Sequence, residues 1–199
     1  MNARMWQNLA VALALIIFTA AATAHAGEPL DLVKSAAEGV IALLKDPQFK
    51  SADKRKERVE RLKAIVNPLF DYEEMARRTL AVHWRRRTPA EQEEFVKLFR
   101  SFLEKMYSDR VHLYEGERVV FGAETFDQEY AEVESKLISV KNDESRMLYR
   151  LKRIDGKWKI YDAVIADVSI VNNYRSQFDR VISKSSYAEL KRILREKAG

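Results

Sequence analysis

The chain has 199 residues, of which 47% are apolar and 33% charged, with a net charge of +5 and no cysteine. This is enough chain for one domain with a sizeable core. The missing cysteine excludes disulfides, thiolate nucleophiles, zinc–thiolate sites and a cysteine-linked lipoprotein anchor. Lys and Arg are spread along the sequence without a basic tail or interleaved aromatics, so nothing points to nucleic acid. Such a spread suits a solvated surface, or attraction to anionic lipid head groups at about 1 kcal/mol per nearby cation.

Residues 1–26 read as a cleavable secretory signal. Arg4 supplies a weak positive start, Leu9 to Phe18 a short apolar stretch, and Ala24-His25-Ala26 a small-x-small cleavage pattern. The apolar stretch falls short of the about 20 residues a membrane span needs. The mature chain is expected to begin near Gly27 as a single domain, and export without an anchor fits a Gram-negative periplasm.

Leu30, Val33, Ala37, Val40, Ile41 and Leu44 recur at helical spacing until Pro47. A basic helix follows from about Ala52 to Val66, ended by Asn67-Pro68. Asp71 and Glu74 have capping-box spacing, with Phe70 placed to staple onto Met75, and predict a helix from Tyr72 to about Trp84. Thr88-Pro89-Ala90-Glu91 repeats the start signal. The helix after it carries one apolar stripe: Phe95, Leu98, Phe99, Phe102, Leu103, Met106 and Tyr107.

Strands are predicted over Arg118–Phe121, Glu129–Lys141, Ser145–Ile154 and Lys157–Val164. Asp155-Gly156 is a strong hairpin turn and Asn142-Asp143 a second turn. Ser169 is placed to cap a helix bearing Val171, Tyr174 and Phe178. Ser186 and Glu189 open another before Leu190 and Leu194. Helices, then a meander of about four strands, then helices define an α+β fold.

Strand alternation puts Ala131, Val133, Ser135, Leu137, Met147, Tyr149, Leu151, Trp158, Ile160 and Val164 on one dry face. The stripe from Phe95 to Tyr107 is the expected cover for it. Periodicity alone is satisfied by a packed core; a twisted sheet curling round a helix also leaves room for a hollow.

Catalytic signatures are absent from the sequence. Outside the signal, His83 and His112 lack metal-ligand spacing, and no nucleophile elbow or phosphate-binding glycine loop is present. Neither a metal nor a cofactor is expected. Asp162 falls on the apolar alternation between Ile160 and Val164. It reads as a carboxylate hydrogen-bonded at the sheet end, or as the acid of a small pocketed enzyme.

Three stretches resemble the MlaC, or toluene-tolerance, family. These are Phe70-Asp71-Tyr72 leading to Leu80 and Trp84; Thr88-Pro89-Ala90-Glu91-Gln92 with Phe95, Phe99, Phe102, Tyr107 and Tyr114-Glu115-Gly116; and Gly156-Lys157-Trp158-Lys159-Ile160-Tyr161-Asp162 followed by Val168-Ser169. With the signal, the similarity runs nearly the whole chain in order. The run Arg85-Arg86-Arg87 is more basic than the family pattern. The resemblance implies a curved sheet wrapped by helices around a deep apolar pocket, with lipid acyl chains inside and the head group near solvent. It implies a non-enzymatic periplasmic shuttle. Its partners would be phospholipid, an outer-membrane lipoprotein complex and an inner-membrane ABC transporter with MCE-domain subunits. A hopanoid-type cargo is also compatible with the family. The lipid pocket is then expected to be lined by Phe99, Phe102, Met106, Val133, Leu137, Met147, Tyr149, Leu151, Trp158, Ile160 and Val164. The rival readings are an enzyme using Asp162 and a protein-binding adaptor.

Overall fold

The computed structural model describes residues 28–109 and 114–199. The signal segment lies outside the described residues. Helix α1 (Glu28–Lys45) ends where Asp46 and Pro47 start a single 3-10 turn. A further 3-10 turn at Ala52–Lys54 leads into helix α2 (Arg55–Val66), which runs into a third at Asn67–Leu69. Helix α3 (Tyr72–Leu80) is capped by Asp71, whose side chain accepts from the Glu74 N–H. The reciprocal half of that box is missing, because the Glu74 carboxylate turns to Arg77 and Arg78. Helix α4 (Pro89–Ser108) has the full box: Thr88 accepts from the Glu91 N–H and the Glu91 carboxylate accepts from the Thr88 N–H.

Helix α3 stops four residues earlier than its pattern predicts. Ala81 takes φ 47°, ψ −116°, outside the helical region, and residues Ala81–Arg86 form a 3-10 segment. A 3-10 helix has three residues per turn, so side chains three apart eclipse.

Strands β1 (Arg118–Asp127), β2 (Tyr130–Ile138), β3 (Glu144–Ile154), β4 (Lys157–Ile165) and the short β5 (Val168–Ser169) form one antiparallel meander in the order β1-β2-β3-β4-β5. Strand β1 extends past its predicted end at Phe121 through a register shift before Glu124, and β5 was not expected. Asp155 and Gly156 take positive φ of 48° and 76°, as their two-residue hairpin requires. Helices α5 (Ile170–Lys184) and α6 (Tyr187–Ala198) start at Ser169 and Ser186, each capping through its hydroxyl.

A β-bulge changes the expected faces. Leu151 pairs with Ile160, but Arg150 pairs with Asp162, so Tyr161 is an extra residue in β4. Past it the alternation is inverted. Ala163 now shares a face with Tyr149, while Val164 pairs with Leu148 and Asp162 with Arg150 on the opposite face. The sequence placed Val164 and Asp162 on the dry face, and the bulge removes both from it.

The cover of the sheet differs as well. Helix α1, not the α4 stripe, lies on the apolar face, where Val33, Leu30 and Leu32 pack with Ala131, Val133, Leu151, Trp158 and Ile160. The α4 stripe faces α3, α5 and α6 instead. Phe95, Phe99 and Phe102 meet Tyr72, Met75, Val171, Phe178, Tyr187 and Leu190 in a separate helical core. Phe99 is fully buried, and its ring centroid lies 5.7–6.4 Å from those of Phe95, Phe102, Tyr174 and Phe178. An apolar stripe only demands an apolar partner, and the paired aromatics of α5 meet that demand. Phe99→Ala is therefore expected to cost about 3–5 kcal/mol in chemical denaturation.

Candidate functional site

The apolar interior of the described residues falls into three clusters rather than one. The first is the α3–α6 core. The second is the α1–sheet layer. The third joins Leu43 of α1 to Phe49 and Leu62, with Val40, Leu44, Ile65 and Tyr107 at its edge. A domain of this size ordinarily has one contiguous core. Here Phe70 is the bridge between the helical core and the sheet layer.

The sheet face is graded along its length. At one end Val133, Leu151, Ile160 and Trp158 are buried. The Trp158 Nε1–H donates to Glu28 at 3.2 Å, and the Trp158 ring meets Phe126 edge-on, closing that end under the start of α1. The Leu30 N–H donates to Glu124 at 2.7 Å, pinning α1 to the bulged stretch of β1. At the other end Phe121, Leu137, Met147 and Tyr149 share the same face by register but are only half-buried. Tyr149 lies deep in the molecule, so burial pushes its phenol above the usual range, yet the residue keeps accessible surface. The Ser135 hydroxyl beside it is buried and meets no partner in hydrogen-bond geometry. Phe121 and Tyr149 pack against the α1–sheet layer, and Leu137 and Met147 lie beyond it on the same face.

A polar network links the helical core to the third cluster. Asn67 Oδ1 accepts from the Tyr72 hydroxyl at 2.8 Å and the Tyr107 hydroxyl at 3.0 Å, while Asn67 Nδ2 donates to Glu104 at 2.8 Å. Burial raises both phenols above their ordinary range, so they stay protonated donors.

Of the expected lining, Val133, Leu137, Met147, Tyr149, Leu151, Trp158 and Ile160 come together on one face. Phe99, Phe102 and Met106 belong to the helical core, and Val164 is on the far face. Missed by the sequence reading were Phe121, which alternation with Val119 inside the predicted strand Arg118–Phe121 could have placed, and the helix that covers the face.

Asp162 is held in place by donors. Its Oδ1 accepts from the Val171 N–H at 3.0 Å; its Oδ2 accepts from the Ser169 hydroxyl at 2.6 Å and from Arg150 at 3.1 Å. It ties the start of α5 to the sheet, away from the Tyr149 face. Among the described residues no cluster of His, Asp and Glu could hold a metal ion, and no helix is long and apolar enough to cross a membrane.

A helix-covered antiparallel meander with a graded apolar face and a helical core at its β4 edge is an α+β architecture built around an apolar layer. The family model described as MlaC protein matches residues 34–196, and the chain belongs to that family. A solved structure of a phospholipid-binding protein from Ralstonia solanacearum, in complex with a phospholipid, shares the fold. Its TM-score is 0.72 at 24% identity, covering 84% of this chain and 94% of that one. No curated protein matches the chain.

Proposed function

We propose that this protein is a periplasmic carrier that takes the acyl chains of a phospholipid onto the half-buried end of its apolar sheet face. The observation that carries the reading is the set Phe121, Leu137, Met147 and Tyr149, half-buried on the apolar face that α1 covers in part, in a member of the MlaC family. The phospholipid held by the Ralstonia relative of the same fold supports it. On this reading residues 1–26 are an export signal and residues 27–199 the carrier domain. An outer-membrane lipoprotein complex and an inner-membrane MCE-domain ABC transporter hand lipid to it and take lipid from it.

The energetics make such a carrier useful. About 30 methylenes, at about 0.8 kcal/mol each, cost more than about 20 kcal/mol to expose to water. A protein lining that resembles the bilayer interior removes that cost. Transfer is then close to neutral and the partners set its direction. No covalent step is needed, and the anchored Asp162 favours binding over catalysis.

One native mass spectrum tests the proposal. The full chain, made in a Gram-negative host and purified without detergent, is expected to start near Gly27 and to carry one lipid-sized ligand. Lipid extraction should identify a phospholipid. Protein that retains its first residues and carries no lipid would refute both the export and the carrier readings.

A further inference from the structure

A second feature lies at the opposite side of the helical core. The 3-10 segment Ala81–Arg86 and the start of α6 border a groove of about 550 Å³. Among the residues that line it are His83, Arg86, Arg87, Tyr187 and Lys191, with one carboxylate, that of Glu91. Three-residue periodicity sorts the segment. Trp84 packs on the core and Arg87 turns inward. His83 and Arg86 line the groove. Val82 and Arg85 are left to solvent, with Val82 65% exposed.

The acids nearby are committed. Glu91 accepts from the Thr88 N–H and lies 3.6 Å from Arg87; Glu94 pairs with Lys191 at 2.7 Å and with Arg195; Asp179 pairs with His83 at 2.8 Å. The Arg86 side chain has no ion pair or hydrogen bond among the described residues. The Arg87 guanidinium stacks over the Tyr187 ring at 4.5 Å, and its Nε is buried without a partner. The first N–H groups of α6, at Tyr187 and Ala188, have no carbonyl partner within their own helix. An uncommitted guanidinium beside a lysine and free backbone donors suits a tetrahedral oxyanion, which takes bidentate bonds from Arg and single bonds from N–H groups.

We propose that this groove binds the phosphate of a phosphate ester, with Arg86 as its principal ligand. The chemistry is shared by lipid head groups and by soluble phosphates, so the test has two arms. The full chain is titrated with glycerol 3-phosphate by calorimetry at low ionic strength. It is also co-sedimented with phosphatidylglycerol vesicles, against phosphatidylcholine vesicles. Arg86→Gln is the test variant and Arg85→Gln the control, because Arg85 carries the same charge on the solvent side; both positions are exposed, so both variants should fold.

Loss of a bidentate charged pair is expected to weaken binding about ten-fold or more in Arg86→Gln, with Arg85→Gln near wild type. Arg86-dependent binding of glycerol 3-phosphate assigns the groove to soluble esters. Arg86-dependent binding of phosphatidylglycerol vesicles alone assigns it to head groups. Binding in neither arm, or equal weakening in both variants, overturns the proposal, the second result reporting only general surface charge.

Discussion

Protein carrying Tyr149→Asp is expected to emerge folded and without lipid. Tyr149 sits at the half-buried end of the apolar sheet face, opposite Val133 on β2 and Ala163 on β4. A carboxylate there would face acyl chain with no cation on its own face opposite it, and burying an unpaired charge costs several kcal/mol. Lipid occupancy in native mass spectra should fall at least about ten-fold. Because the residue is only half-buried, water reaches the introduced carboxyl in the empty protein, and the fold should survive with a loss of about 2–3 kcal/mol. Burial by lipid disfavours the charged form and raises the carboxyl pKa. Lipid should therefore return partly as pH falls from 8 to 5, the direction that neutralises the group. Tyr149→Phe, which keeps the ring and lacks only a hydroxyl without a strong partner, should load like wild type. Full occupancy in Tyr149→Asp at neutral pH would show that lipid binds elsewhere. Leu151 is a poorer probe: it is fully buried against Ile160, and a charge there tests folding rather than binding.

Asp162→Ala should be among the most destabilising single changes, at about 3 kcal/mol or more in chemical denaturation. It leaves the buried Val171 N–H without an acceptor and frees the Ser169 hydroxyl that caps α5. The Arg150 guanidinium is partly rescued, because it also donates to Glu132 at 3.0 Å. Asp162→Asn keeps an acceptor at Oδ1 and should cost only about 1–2 kcal/mol. In the carrier reading, lipid transfer between labelled vesicles by Asp162→Asn stays within a few-fold of wild type. Removing a general acid typically costs 100-fold or more. If a folded, lipid-loaded Asp162→Asn protein lost a lipid-converting reaction of the wild type, Asp162 would be the acid of an enzyme and the carrier reading would fail.

Local chemistry was legible wherever a residue acts on its own neighbourhood. Thr88 and Glu91 are three apart and close both halves of their box, while Asp71 and Glu74 close one because the neighbouring Arg77 and Arg78 take the Glu74 carboxylate, and Asp155-Gly156 tolerates the positive φ of a tight hairpin. Strand β2 alternates without interruption, so Ala131, Val133 and Ser135 are buried as the pattern requires. The motifs in their order were also enough to place the chain in its family. Ala81 shows where local reading ends. Its sequence continues a good helix, yet the backbone breaks there, and the next turn carries Trp84 onto the core and Arg86 into the groove.

What the sequence by itself determined, then, is which side chains must leave water and where helices and turns begin. Which element meets them was decided by the tertiary structure. The stripe of α4 satisfies either a sheet or a helical partner equally well by periodicity, and only the packing of α5 and α6 shows that it builds the helical core while α1 covers the sheet. The extra residue at Tyr161 leaves no mark in the composition of β4, but it inverts every side chain after it. Asp162 is thereby carried from the apolar face to the start of α5, because a strand's side chains alternate only as long as its pairing gains and loses no residue.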